Sequence, residues 1–207
     1  MEAREDIGIE QNCSKFKIDQ NCMQETDHKK TIIGLVGEKL AGKDTTANYL
    51  VSKYGAGHFR FTHILDAILE DLDMPISRKN EIDLGLSLRK IFGPHVLVEA
   101  LGHRVNKSWE KIIVVNGIRM DELDVVKSWG SKIIYVTAPI ETRFERYKNR
   151  KEKDDDGVMD FENFKTQETG PTEAGIPDLG KQADFRIDNT GSLEELYRKV
   201  DAIIKQF

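Results

Sequence analysis

TIIGLVGEKLAGKDTTANYL, residues 31–50, decides how this chain is read. A short apolar run, Ile32, Ile33, Leu35 and Val36, ends at Gly37. A loop follows, and from Lys43 the pattern turns helical. Gly37, four residues, then Gly42-Lys43 is the spacing of a phosphate-binding loop between a strand and a helix. The residue types suit that task. Glycines let backbone N–H groups converge on phosphate oxygens, the helix N-terminus adds a favourable dipole, and Lys43 reaches the outer phosphates.

One residue departs from the common form of this motif. Asp44 stands where Ser or Thr ordinarily offers a hydroxyl to Mg²⁺, and Thr45 and Thr46 follow. A carboxylate is a hard oxygen ligand suited to Mg²⁺, and Thr45 serves the same purpose after a small shift. The GKDT form resembles the P-loops of phage-type deoxynucleoside monophosphate kinases and some of their relatives. That likeness implies a small-molecule kinase rather than a GTPase or a large motor.

The chain has 207 residues, of which 39% are hydrophobic, enough for one medium-sized α/β domain with a real core. A formal charge of -5 argues against a general nucleic-acid binder, which carries a basic face. No apolar run approaches about 18 residues, so no membrane span is expected. Cys13 and Cys22 lack zinc-ligand partners at useful spacing and do not make a disulfide framework, so a reducing, cytoplasmic compartment is the default. Residues 1–30 are polar, mixed in charge and without periodicity, and read as a flexible tail ahead of a single domain over 31–207.

Beyond the loop helix, Gly55 and Gly57 break the pattern and His58–Phe61 reads as a second strand. Thr62 is expected to cap a helix over His63–Leu72, a second helix runs from about Ser77 to Gly93, and a third over Pro94–Lys107. Lys111–Val115 and Lys132–Thr137 are buried-strand candidates, and a basic helix covers Ile140–Arg150. A polar stretch runs to about Lys181, then a last strand, Asp184–Ile187, precedes an amphipathic helix, Ser192–Lys205, with Ser192 and Glu195 as its capping box. Strands that read as continuous apolar runs and alternate with helices predict a five-stranded parallel sheet covered on both faces. Ligands on such sheets gather at the carboxyl ends of the strands, which places Gly37–Thr46, Thr62–Asp66, Asn116–Arg119, Thr137–Pro139 and Asp188–Gly191 around one crevice.

The order of these features resembles the P-loop nucleoside monophosphate kinase-like group. The quoted parts are the strand and P-loop, a strand running into Asn116-Gly117-Ile118-Arg119, the Arg-rich helix, the polar lid and the closing ADFRIDNTGSLEELYRKV. The closing segment is similar to dephospho-CoA kinases. The resemblance implies a P-loop NTPase fold with acceptor-side helices over about 62–107 and a helical lid over about 148–181. It implies that Gly37, Leu40, Ala41, Gly42, Lys43, Asp44, Thr45 and Thr46 hold ATP and Mg²⁺, with Asp44 and Thr45 on the metal. It also implies that Arg143 and Arg146, with Arg150 beyond them, neutralise the transferred phosphoryl group, and that Asn189 lies near the adenine. Read as residues alone, the three arginines are equally a solvated helix face, and Asn189 a plain turn residue.

Acceptor-side candidates are Arg60, His63, Asp66, Arg78, Arg89 and Arg119. Arg119 follows a strand at the crevice, where a guanidinium grips a phosphate bidentately, unless it serves a structural salt bridge. Arg89 is either a phosphate clamp or a solvated residue. Asp66 is either a general base for an acceptor hydroxyl or a helix-surface carboxylate. Asn116 occupies the strand end where many relatives carry an Asp that helps hold the Mg²⁺ shell, and Asp44 compensates for it. The resemblance thus implies ATP- and Mg²⁺-dependent phosphoryl transfer to a (deoxy)nucleoside monophosphate. Two alternatives stay open: transfer to the ribose hydroxyl of a CoA precursor, and a P-loop regulatory switch.

Overall fold

The computed structural model describes residues 30–150, 159–170 and 173–207. The expected tail lies outside them except for Lys30, as do Cys13, Cys22 and the charged run 151–156. The Lys30 ammonium donates to the carbonyls of Val105, Asn106 and Ser108 at 2.8, 3.0 and 2.7 Å, at the C-terminal end of a helix, where a cation is favoured. The first strand is thereby anchored from its first residues.

Five strands, β1 (Thr31–Val36), β2 (Gly57–Arg60), β3 (Ile112–Asn116), β4 (Lys132–Thr137) and β5 (Phe185–Asp188), make one parallel sheet of order β2-β3-β1-β4-β5. The order follows from the side chains. β1, β3 and β4 are apolar on both faces and buried almost throughout, so they take the centre. β2 and β5 are part-exposed and form the edges. The strand period of two divides each run between two cores. Ile32, Val36, Ile113, Val115, Ile133 and Tyr135 face one; Ile33, Leu35, Val114, Ile134 and Val136 face the other. Each fully buried Ile or Leu contributes about 1.5–3 kcal/mol.

The first core is covered by α2 (Thr62–Asp71), α4 (Val96–Lys107), α5 (Met120–Ser128) and α8 (Ile176–Lys181); the second by α1 (Lys43–Tyr54) and α9 (Leu193–Ile204). α3 (Arg78–Phe92) packs on α2 and α4, and α6 (Ile140–Asn149) on α7 (Phe161–Glu168). The α6–α7 pair is an aromatic cluster: Phe144 lies 5.0 Å from Phe161 and 5.5 Å from Phe164, ring to ring. This is the expected α/β P-loop NTPase architecture, helices on both faces of five parallel strands. Among the described residues no helix is long and apolar enough to cross a membrane.

Local corrections concern starts and one missing element. Thr62 is the first residue of α2 rather than its cap; Phe61 precedes it in helical geometry and offers no side-chain bond. α4 begins at Val96, two residues after Pro94. Ser77 and Ser192 do cap α3 and α9, accepting from the Asn80 and Glu195 amides at 3.2 and 3.3 Å. The sequence reading passes from β3 to β4 without a helix, yet parallel neighbours need a crossover, and α5 supplies it with Leu123 and Val126 buried.

Candidate active site

The chain leaves β1 toward β2 and β3 on one side and returns to β4 on the other. The C-terminal end of β1 is therefore the switch point of the sheet, and the Gly37–Lys43 loop sits there. Gly37 has φ +147°, and a Cβ on it would overlap the Val136 carbonyl oxygen. Gly42 has φ +111°, and a Cβ there would overlap the Asn189 side-chain amide. Leu40 is left-handed at φ +63°, a conformation that costs an L-residue about 1–2 kcal/mol.

That strain persists because the loop is held from behind. Arg146 donates to the carbonyls of Leu40 and Ala41 at 3.0 and 3.3 Å and to that of Asn189 at 2.8 Å. Asn189, 7% exposed, donates its side-chain amide to the Ala41 carbonyl at 2.8 Å. Arg143, 5% exposed, donates to the Ala138 carbonyl at 2.9 Å and the Lys39 carbonyl at 3.4 Å, and makes a two-pronged ion pair with Glu168. None of these three lines the cavity in front of the loop. Arg143, Arg146 and Asn189, expected on the transferred phosphoryl group and beside adenine, have their donors engaged with the loop and its neighbours.

In front of the loop, the Lys43 ammonium donates to the carbonyls of Gly37 and Glu38 at 2.7 and 2.8 Å. Burial pushes its pKa down, opposed by the carboxylates of Asp44, Glu173 and Glu38. Gly42 caps α1 without a side chain, and the amides of Lys43, Asp44 and Thr45 have no acceptor among the described residues. This cluster of unmatched donors, with the positive end of α1 behind it, is a site for anionic oxygens. Asp44 accepts from the Asn116 side-chain amide at 2.8 Å and pairs with Arg60 at 3.3 Å. The Asn116 side-chain oxygen, Oδ1, is buried without a hydrogen-bond partner. Thr45 is half-buried beside Asp44, whereas Thr46 is fully buried, its hydroxyl on the Gly42 carbonyl at 3.0 Å, facing the core rather than the cavity.

The cavity measures about 300 Å³. The loop lines it with Lys39, Leu40, Lys43 and Asp44. Arg60, Arg78, Arg89, Arg119 and Arg150 add positive charge from other elements, and Phe61, Leu65, Ile82, Leu86 and Leu97 make an apolar wall. Asp66 and His63 are not among its lining residues; on α2 the cavity is met by Thr62 and Leu65, and Asp66 lies one turn beyond Thr62. Arg119 is exposed, and its guanidinium has no hydrogen-bond or ion-pair partner among the described residues. Arg89 pairs with Glu122 at 2.8 Å.

Glu122 and Glu173 line the cavity, and the sequence reading missed both. The one legible sign of Glu122 was its position three residues after Arg119, the spacing at which an acidic side chain turns back to bond the backbone at a helix start.

No protein-family model matches the sequence. The chain is 26% identical over 179 residues to a UPF0200/UPF0201 protein of Archaeoglobus fulgidus, covering 84% of this chain and 54% of that protein. It is 25% identical over 181 residues to a UPF0200 protein of Methanothermobacter thermautotrophicus, covering 84% and 90%. The chain thus spans about half the length of the first relative and nine tenths of the second. Among solved structures it is similar to a shikimate kinase of Bacteroides thetaiotaomicron, with a TM-score of 0.57 at 12% identity over 84% of this chain and 98% of that one. A gluconokinase of Sinorhizobium meliloti gives a TM-score of 0.52 at 14% identity, over 86% and 93%. At these identities the likeness is one of fold, the α/β P-loop NTPase fold.

Proposed function

We propose that this chain is an ATP- and Mg²⁺-dependent phosphotransferase that moves the γ-phosphoryl group to a (deoxy)nucleoside monophosphate. The observation that carries the reading is the division of one cavity. The loop brings Lys43 and the unmatched amides of α1 to it, and α3 and α5 bring Arg78, Arg89 and Arg119. Two anions, a donor phosphate chain and an acceptor phosphate, match those two sets of cations.

The wall of the cavity supports this acceptor class. Phe61, Leu65, Ile82, Leu86 and Leu97 suit the faces of a nucleobase. A phosphate acceptor oxygen is already nucleophilic near neutral pH and needs orientation and charge compensation rather than a base. Asp66 is not among the residues that line the cavity, which favours the monophosphate over a ribose hydroxyl, whose other support is the likeness of the closing segment to dephospho-CoA kinases.

Mg²⁺ fits the donor end. The Asp44 carboxylate and the unpartnered Asn116 Oδ1 offer hard oxygens there, with Thr45 adjacent; Mg²⁺ commonly takes one or two protein groups and completes its shell with water and phosphate. When bound, it supplies charge neutralisation on the phosphate oxygens. Lys43 would exchange its two loop carbonyls for phosphate oxygens, Arg119 would grip the acceptor phosphate, and Arg143, Arg146 and Asn189 would keep the loop in shape.

ADP release with ATP and Mg²⁺ across a panel of ribo- and deoxyribonucleoside monophosphates, dephospho-CoA, shikimate and gluconate tests the reading. Acceleration by a class of monophosphates is expected. Acceleration by a hydroxyl acceptor alone would overturn the acceptor assignment, and slow hydrolysis indifferent to every acceptor would move the chain to a regulatory switch.

A further inference from the structure

We propose that Gly85, Arg89 and Glu122 form a positioning device that presents Arg89 to the anionic group of the acceptor. The inference rests on the phosphotransferase reading and adds to it two residues, Gly85 and Glu122, that act through Arg89.

Glu122 is 1% exposed, and a carboxylate that deep is costly unless both oxygens are engaged. Both are. Oε1 accepts from the Arg89 guanidinium at 2.8 Å, and Oε2 accepts from the Arg119 backbone amide at 2.9 Å. Glu122 stands in the first turn of α5, where the helix dipole favours its charge, so its own helix fixes it. Arg89 belongs to a different element, α3, and is the partner that is positioned. The same buried carboxylate thereby sets the location of Arg89 and the chain direction at Arg119, two cations of one cavity.

Gly85 explains how Arg89 reaches that far. It lies inside α3, one turn before Arg89, where glycine is disfavoured relative to alanine. A Cβ on Gly85 would stand 3.2 Å from the Arg89 Nη1 and 3.5 Å from the Leu65 Cδ1. The missing side chain is the room through which the guanidinium lies back along its own helix. Arg89 keeps 21% of its side chain exposed, so the cavity still meets it. Because one carboxylate cancels one guanidinium, the device contributes orientation rather than additional positive charge.

The experiment compares the unmodified chain with Glu122→Gln, Gly85→Ala and Arg89→Lys, using ATP and whichever monophosphate of the panel accelerates turnover, with thermal midpoints recorded alongside. Glu122→Gln keeps an oxygen for the Arg119 amide and removes the charge that holds Arg89. It is expected to raise the acceptor KM about tenfold or more while the ATP KM stays in place. Gly85→Ala, whose Cβ would press on the Arg89 guanidinium at 3.2 Å, is expected to raise the acceptor KM while the ATP KM stays in place, a split a purely structural role would not give. Arg89→Lys, which lacks the planar fork, is expected to behave like Glu122→Gln.

Turnover in the unmodified chain with an unmoved acceptor KM in Glu122→Gln and Gly85→Ala overturns the device and leaves the phosphotransferase reading standing. No acceptor-dependent turnover in the unmodified chain overturns that reading and any acceptor role for Arg89 with it. If Glu122→Gln does not fold, Gly85→Ala decides alone.

Discussion

The side-chain amide of Asn189 donates to the carbonyl oxygen of Ala41 at 2.8 Å, across a sequence separation of 148 residues. This bond joins the turn after the last strand to the loop after the first. Ala41 follows Leu40, the loop's left-handed non-glycine residue, and Arg146 holds the carbonyls of both. The loop is therefore held from behind, and its strain is maintained by three hydrogen bonds from two distant side chains.

Asn189→Ala removes the partner of a buried carbonyl and is expected to cost about 1–3 kcal/mol in urea unfolding. It should also raise the ATP KM, because Leu40 would relax out of its left-handed conformation. Unfolding and ATP KM both unchanged would show that the loop holds its shape unaided.

Asn116→Asp places a second carboxylate where an amide now donates to Asp44 at 2.8 Å. Without Mg²⁺ the two like charges repel, and the variant should unfold at lower urea than the parent near neutral pH. Added Mg²⁺ should raise its thermal midpoint by more than it raises that of the parent. An equal Mg²⁺ response would remove Asp44 and position 116 from the metal site.

His58 sits on β2 near Asn116, its Nε2 3.5 Å from the Asn116 amide nitrogen. Burial first, then the charges of Arg60 and His63, lower its pKa from 6.5 to about 4. The unfolded chain thus takes up a proton below about pH 6.5 that the native state refuses until about pH 4, and stability falls as pH drops through that window. After discounting for its partial exposure to solvent, the loss is about 1–2 kcal/mol. His58→Gln should flatten the decline between pH 6.5 and pH 4 in denaturant titrations. An identical slope in the variant would place the acid sensitivity elsewhere.

Phe164 is 1% exposed and lies between Phe144 and Tyr147, with its ring 5.5 Å from each. Phe164→Ala should weaken the α6–α7 contact by about 3–5 kcal/mol, enough to release α7 locally before the sheet unfolds. Hydrogen exchange would then quicken in 161–168 and at Arg143, whose partner Glu168 ends that helix. Protection of α7 equal to that of the parent would show that its docking does not depend on this ring.

Legible in the sequence were the features that depend on neighbours along the chain. Continuous apolar runs marked β1, β3 and β4, since a strand buried on both faces has no other composition; the edge strands β2 and β5 showed as short mixed runs beside breaks in the pattern; and Gly37, Gly42 and Lys43 marked the phosphate loop, where the glycines give the backbone geometry. α5 escaped notice because it is a nine-residue helix with few apolar positions, stabilised by packing rather than by its own pattern. Only the tertiary structure assigned the charged side chains. A flexible arginine reaches several ångströms in any direction, so its spacing along a helix does not say what it meets. Arg143 and Arg146 turn to the back of the loop, Asn189 becomes a brace, Asp66 falls outside the cavity and Glu122 enters it. Backbone geometry is encoded locally, whereas the pairing of long polar side chains follows from which elements the fold brings together.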